Sequence, residues 1–249
     1  MNKKAQIAVF IIIGIIILAA VIFLTQYKQL TIPKGEVSAI DPAPVQNFVS
    51  ACLEKTSHDA VVYIGGHGGF FNLPESSDKI LQLPYYLKNN FTSWPSREKI
   101  ESEIADYIDT ELLFCLENFR NFKGMTIGYE YPISNVSVYD KKVIILTDFT
   151  IKIQQSENTV VIDKFDENID SKLGIIINLV DNYVQVQKND TKTICMSCLL
   201  DLVNANNLSI TLGHVENSTF VFTITDKEMP IEEEKYEFKF LMQYNFSGE

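Results

Sequence analysis

The sequence between Ile7 and Leu24, IAVFIIIGIIILAAVIFL, decides how the rest of this chain is organised. Its 18 residues include no charged residue, no proline and no side-chain amide. Because a helix of about 20 apolar residues crosses the hydrocarbon core of a bilayer, the segment predicts a membrane-spanning helix. A secretory signal peptide has a shorter apolar core of roughly 7–15 residues, so we favour a retained anchor over a removed signal. The membrane lipid around residues 7–24 is therefore the first predicted partner.

The charges that flank this segment predict the orientation of the chain in the membrane. Lys3 and Lys4 precede the apolar run, and cationic residues favour the cytoplasmic side. Tyr27 follows the run, at a position that suits an anchor at headgroup level. We therefore expect residues 1–28 to form a cytoplasmic tip and a single transmembrane helix. The C-terminal part of the chain is expected to be extracytoplasmic, at the cell membrane.

The first residues also resemble a known targeting signal. The segment Lys3–Gln6, KKAQ, is followed at once by the apolar run. This arrangement resembles the class III (prepilin-type) signal of archaeal pilins and related membrane-anchored surface proteins. The resemblance implies that a membrane peptidase cuts between Ala5 and Gln6. It also implies that the apolar helix is kept as an anchor or as the core of a filament.

Two features separate this chain from a filament subunit. Pilins usually carry Glu near the fifth position of the mature chain, where this sequence has Phe10. Pilin helices usually continue well past the membrane, whereas Pro33 and Gly35 predict an end soon after Leu30. We therefore expect a tethered outer domain, with a true filament subunit as the alternative.

The acidity of the outer part argues against nucleic acid as a partner. The chain has a net charge of −11, and its first 39 residues hold four Lys and one Glu, so residues 40–249 carry −14. An acidic domain without a basic patch repels phosphate backbones. We expect a protein partner or self-association, and no nucleic acid.

Four cysteines, all beyond the apolar run, predict two disulfides outside the cytoplasm. Three connectivities are open, and we favour Cys52 with Cys115 and Cys195 with Cys198. Cys52 and Cys115 each lie on the apolar stripe of a predicted helix, so a bridge between them would tie the two helices together. Cys195 and Cys198 have C-x-x-C spacing, which also occurs at redox sites. An amphipathic helix precedes them, rather than the strand context of a thioredoxin-like site, and this favours a structural disulfide.

Six N-x-[ST] motifs lie beyond the apolar run and agree with an extracytoplasmic location. They predict glycosylation, with an Asn-rich composition as the alternative explanation. The acceptor residues are Asn90, Asn135, Asn189, Asn207, Asn217 and Asn245.

Hydrophobic periodicity predicts an α+β outer domain in which helices pack with antiparallel sheet. A linker over residues 29–43 leads to a helical part over 44–124 and a strand-rich part over 125–249, which form either one domain or two. In the helical part, residues 72–95 contain three prolines and predict an irregular loop. In the strand-rich part, four short strands form an antiparallel meander and are followed by a helix from about Ile169. A short helix at Cys195 and three further strands complete the chain.

The glycine-rich segment Gly65–Gly69, with His67 at its centre, is the strongest candidate for chemistry. Glycines after a helix ordinarily form its C-cap and a turn. A phosphate-binding P-loop would add Lys-Ser/Thr, which is missing here. We predict neither a cofactor nor a metal nor catalysis. A structural, adhesive or protein-interaction role is expected, with a tethered enzyme or solute-binding domain that uses Gly65–Gly69 as the alternative.

Overall fold

The computed structural model of this protein describes residues 16–19, 21–22, 40–89, 91–231 and 234–246. Among these residues no helix is both long enough and apolar enough to cross a bilayer. The short stretches 16–19 and 21–22 are helical.

Several predictions for the N-terminal region fall outside the described residues. These are the processing site at Ala5 and Gln6, the span over residues 7–24 apart from the two short stretches above, and the linker up to residue 39. Asp41–Glu249 forms one compact unit, so the predicted helical and strand-rich parts belong to one domain.

Two long helices open this unit, as their periodicity predicts. Helix α1 spans Ala43–Gly66 and helix α2 spans Arg97–Leu116, followed by a 3-10 turn at Glu117–Phe119. The Ser96 side chain accepts a hydrogen bond from the Lys99 N–H, which caps α2. The two helices pack against each other, and α2 also packs on the strand β5 described below.

The predicted meander is confirmed as a four-stranded antiparallel sheet. Its strands are β4 (Thr126–Tyr129), β5 (Ile133–Tyr139), β6 (Lys142–Gln155) and β7 (Asn158–Asp170). Strand β6 is central, with β5 and β4 along one side and β7 along the other. Buried and exposed residues alternate along β6, because one face of the sheet packs inward.

A second sheet has six strands and corrects two predictions. Its strands are β1 (Ser77–Asp78), β2 (Leu83–Lys88), β3 (Phe91–Thr92), β8 (Leu208–His214), β9 (Thr219–Ile231) and β10 (Glu234–Gln243). The order is β1-β2-β10-β9-β8, with β3 also paired to β2.

The strand β2 makes this sheet mixed rather than antiparallel, since β2 runs parallel to β10. The predicted irregular loop over residues 72–95 is therefore wrong for this stretch. Five consecutive residues of β2, Leu83–Leu87, are buried. They show no two-residue alternation because both faces of β2 are covered. Pro84 also argues against a strand, because proline is uncommon within strands.

The helices of the C-terminal half lie close to their predicted positions. Helix α3 spans Leu173–Gln187 and helix α4 spans Met196–Ala205. The predicted start of α3 at Ile169 is wrong, because Ile169 pairs with Val143 in the meander as part of β7. The predicted half-buried last strand is confirmed as β10, whose Phe238 and Phe240 are almost fully buried.

Candidate functional site

The cysteine pairs lie as predicted. Cys52 on α1 and Cys115 on α2 are joined, with an S–S distance of 2.06 Å and a Cα–Cα distance of 5.8 Å. Cys52 is buried, so this bridge crosses the packed interface between the two helices. Cys195 and Cys198 are joined at the start of α4, with a Cα–Cα distance of 5.4 Å. Gln187 holds this second bridge, because its Oε1 accepts the Cys195 N–H at 3.1 Å.

The sequon asparagines that the structure describes are all exposed. Asn135 lies on β5, Asn189 follows α3, and Asn207 and Asn217 lie at the two ends of β8. Asn245 follows β10 and is exposed as well. The sixth, Asn90, lies outside the described residues. Five acceptor side chains are thus accessible to a glycosylating enzyme, as their motif requires.

Close packing explains two of the glycines in the segment Gly65–Gly69. Gly68 has φ of +58°, and a Cβ there would lie 2.6 Å from the Lys239 carbonyl oxygen. Gly69 has φ of +81°, and its Cβ would lie 2.8 Å from the Pro95 ring. Only glycine combines this left-handed backbone with so close an approach. The segment closes α1 against β10 and against the chain that leads into α2.

The imidazole of His67 belongs to an aromatic cluster at the end of α1. Its Nδ1–H donates to the Tyr63 carbonyl oxygen at 2.8 Å, and its ring stacks on the Tyr63 ring at 4.0 Å. The rings of Phe71 and Tyr107 lie 6.0 Å and 5.2 Å from that of Tyr63. Among the described residues, no group of three or more His, Cys, Asp and Glu side chains could hold a metal ion.

The cluster extends along the exposed face of α2. Phe114 follows Tyr107 by seven residues, which places both on the same face of the helix, and it is 70% exposed. Burial, followed by the negative charges of Asp59 and Glu111, raises the pKa of Tyr107 to about 12. We call Tyr63, His67, Phe71, Tyr107 and Phe114 the α1–α2 aromatic surface. No pattern within one segment predicts this surface, because its rings come from two helices and the loop between them.

Most of the aromatic residues around Trp94 are covered by the fold. Tyr85 and Tyr86 are buried within β2. The Trp94 indole N–H donates to Asp181 Oδ1 at 2.9 Å, which ties this segment to α3. Phe91 alone among them is strongly exposed, at 80%.

A polar cavity lies between the meander, α3 and the six-stranded sheet. Its volume is about 330 Å³, and Lys141, Asp170, Ser171, Lys172, Asp226 and Glu228 line it. The Lys172 Nζ lies 3.1 Å from Asp226 Oδ1 and 2.6 Å from Glu228 Oε2. Asp226 is only 1% exposed, so its carboxylate in this ion pair is shielded from solvent.

The ion pairs of this cavity hold the Lys172 amine in its charged form. Burial alone would lower the pKa of Lys172, but hydrogen bonds to Glu228 and Asp226 outweigh it and raise that pKa above its ordinary value. An amine held this way is a poor nucleophile or base, and its ion pairs join the start of α3 to β9. No local pattern could have revealed the pair, because Lys172 and Asp226 are 54 residues apart.

Comparisons of the chain with protein-family models, with curated proteins and with solved structures gave no significant match.

Proposed function

We propose that this chain is a single-pass membrane-anchored surface protein whose outer domain acts through surface contacts, in a structural, adhesive or protein-interaction role. The observation that carries the proposal is the pair of disulfides within Asp41–Glu249. Disulfides persist in oxidising environments outside the cytoplasm and are rare within it. The apolar run before this unit supplies the anchor, and the exposed sequon asparagines fit the same location.

Protease treatment of intact cells that express the full chain tests this location. External protease should remove the outer domain, while alkaline carbonate washing should leave the anchor in the membrane fraction. Alkylation in intact cells, followed by mass analysis, should find all four thiols oxidised. A domain that stays protected from protease, with free thiols, would overturn the proposal. N-terminal sequencing separates the two forms of anchor, since a start at Gln6 marks prepilin-type processing.

The α1–α2 aromatic surface is the contact region that the proposal favours. Aromatic side chains are enriched in protein interfaces, where a large ring loses little conformational entropy. Phe114 is the most exposed ring of this surface and packs on little of its own chain. A second copy of the chain is the partner proposed for it, in line with the self-association expected from the sequence.

Cross-linking of the full chain in its membrane tests this contact. Phe114→Ser should lower the yield of cross-linked dimer several-fold, since truncating a central aromatic anchor costs about 2 kcal/mol or more of binding. Ile80→Ser is the matched control, because Ile80 is 93% exposed but lies in the turn between β1 and β2. Equal dimer yields for both variants and the natural chain would refute self-association through this surface.

A further inference from the structure

Strand β8 is an open edge of the six-stranded sheet. Among the strands that the structure describes, β8 pairs with β9 alone. Its seven residues, Leu208–His214, read LSITLGH and include no proline and no acidic or basic residue other than the terminal histidine. Thr211, Gly213 and His214 are exposed. An uncharged edge of this length presents backbone N–H and C=O groups that can pair with a strand of another chain. Such an edge is therefore a potential site of aggregation.

Three other edges of the two sheets carry recognisable protection. The far edge of the six-stranded sheet consists of β1 and β3, which are two residues long each. The β7 edge of the meander carries Asp163, Lys164, Asp166 and Glu167, whose charges disfavour pairing.

The β5 edge of the meander is occupied by side chains of α2. The Val138 N–H donates to Glu101 Oε1 at 2.7 Å, and Arg97 donates to the Val138 carbonyl oxygen. Within the described residues, β8 has neither the short length nor the charged side chains of these edges, and the element that contacts it besides β9 is helix α4, which precedes it in the chain.

Two sequons lie at the two ends of β8. Asn207 immediately precedes Leu208, and Asn217 lies in the turn between β8 and β9. Both are exposed, and both have positive φ, of +54° and +41°, which holds them in turns rather than in the ladder. Seven residues of strand span about 20 Å, so a bulky sugar at each end would flank the whole edge.

The environment of Asn207 is compatible with a sugar on its amide. Its Nδ2 donates a hydrogen bond to Glu228 Oε1. An N-linked sugar replaces only one of the two amide hydrogens, so the remaining N–H can keep this bond.

We propose that N-linked sugars on Asn207 and Asn217 shield the β8 edge from pairing with other strands. The proposal depends on the extracytoplasmic location proposed above. In the modification, an activated sugar phosphate is the donor. A bond forms between Asn Nδ2 and the sugar C1, the C1–O bond to phosphate breaks, the phosphate leaves with the electron pair, and Nδ2 loses one proton.

The test uses the full chain purified in detergent from cells that glycosylate it. Asn207→Gln combined with Asn217→Gln should raise the yield of cross-linked dimers and larger species by about threefold or more. Asn135→Gln is the matched control, because it removes an exposed sequon from the meander, whose β5 edge is already occupied. Adding Thr211→Lys to the double variant should return association to the level of the natural chain, since a charge on the edge disfavours pairing.

Four results would overturn the shielding proposal. The first is an intact mass that shows no sugar on Asn207 and Asn217, and the second is a double variant that associates no more than the natural chain. The third is an Asn135→Gln variant that associates as much as the double variant. The fourth is association of the double variant that added Thr211→Lys does not reduce. The location proposal fails separately. If external protease removes the outer domain but its asparagines carry no sugar, only the shielding proposal is refuted. If the outer domain is protected from external protease, both the location proposal and the shielding proposal are refuted.

Discussion

Removing the Cys52–Cys115 bridge should cost far more stability than removing the Cys195–Cys198 bridge. The first closes a loop with a sequence separation of 63, and the second a separation of only 3. Chain-entropy theory relates the stabilisation to the logarithm of loop length, and gives about 4 kcal/mol for the long loop against about 2 kcal/mol for the short one. The long loop contains the second half of α1, strands β1–β3 and nearly all of α2. Its closure therefore restrains the unfolded chain across much of the outer domain.

The assay is urea denaturation of the full chain in a mild detergent, followed by the fluorescence of Trp94. Trp94 is the single tryptophan, and its hydrogen bond to Asp181 is lost on unfolding. The variants are Cys52→Ala with Cys115→Ala, and Cys195→Ala with Cys198→Ala.

A measurement in reductant separates the bridge from the packing of the sulfur atoms. Cys52 is only 3% exposed, so its truncation also leaves a small cavity. In reductant the natural chain lacks its bridges too. Any difference that remains between its free energy of unfolding and that of a variant therefore reports packing alone. After this packing contribution is subtracted, the Cys52–Cys115 bridge should stabilise the fold by about 2 kcal/mol more than the Cys195–Cys198 bridge. Equal contributions, or less than about 1 kcal/mol for Cys52–Cys115, would refute the reasoning.

Three further perturbations probe the packing, the buried charge and the buried hydroxyls. Gly68→Ala should lower the free energy of unfolding by about 2 kcal/mol or more in urea denaturation, because its Cβ would meet a backbone carbonyl of β10 at a φ of +58°. Gly66→Ala, with nothing within 4 Å of its Cβ, should change it by less than about 1 kcal/mol, and equal losses would contradict this. Lys172→Met should cost about 3–5 kcal/mol in the same assay, because Asp226 stays buried without its partner. Adding Asp226→Asn should recover most of that loss, and a loss that persists would argue against an unpaired charge. Burial raises the pKa of Tyr183 to about 12, so the folded state holds this proton more tightly, and the stability it provides should fall as pH rises from about 10 towards 12. Urea midpoints measured between pH 8 and 11 should fall less steeply for Tyr183→Phe, and parallel profiles would contradict the assignment.

The helices and the meander were predictable because each buries one face. An element with one buried side repeats its apolar residues every 3.6 or every two positions, and α1, α2 and β6 show these periods. The same stripes placed Cys52 and Cys115 each on the inner face of its helix, which favoured this pairing over the two other connectivities.

Strand β2 and the start of α3 were mispredicted for a physical reason. Strand β2 is covered on both faces, so its sequence shows no period. Its parallel neighbour β10 lies about 150 residues further along the chain, and Tyr85 pairs with Leu241. At Ile169 the apolar spacing fits a helix as well as a strand, and pairing with Val143 decides for the strand.

Among the described residues, the sequence alone therefore determined the α+β class and the antiparallel meander, because these depend on patterns within single segments. For the cysteines it favoured one of three connectivities, and the folded chain has that pairing. The tertiary structure decided where β2 enters its sheet, which rings form the α1–α2 aromatic surface, and which lysine balances the buried Asp226. It also decided that β8 is an open edge with a sequon at each end. These features join residues that are distant in the chain, and local periodicity reports only whether a residue is buried, not which residue covers it.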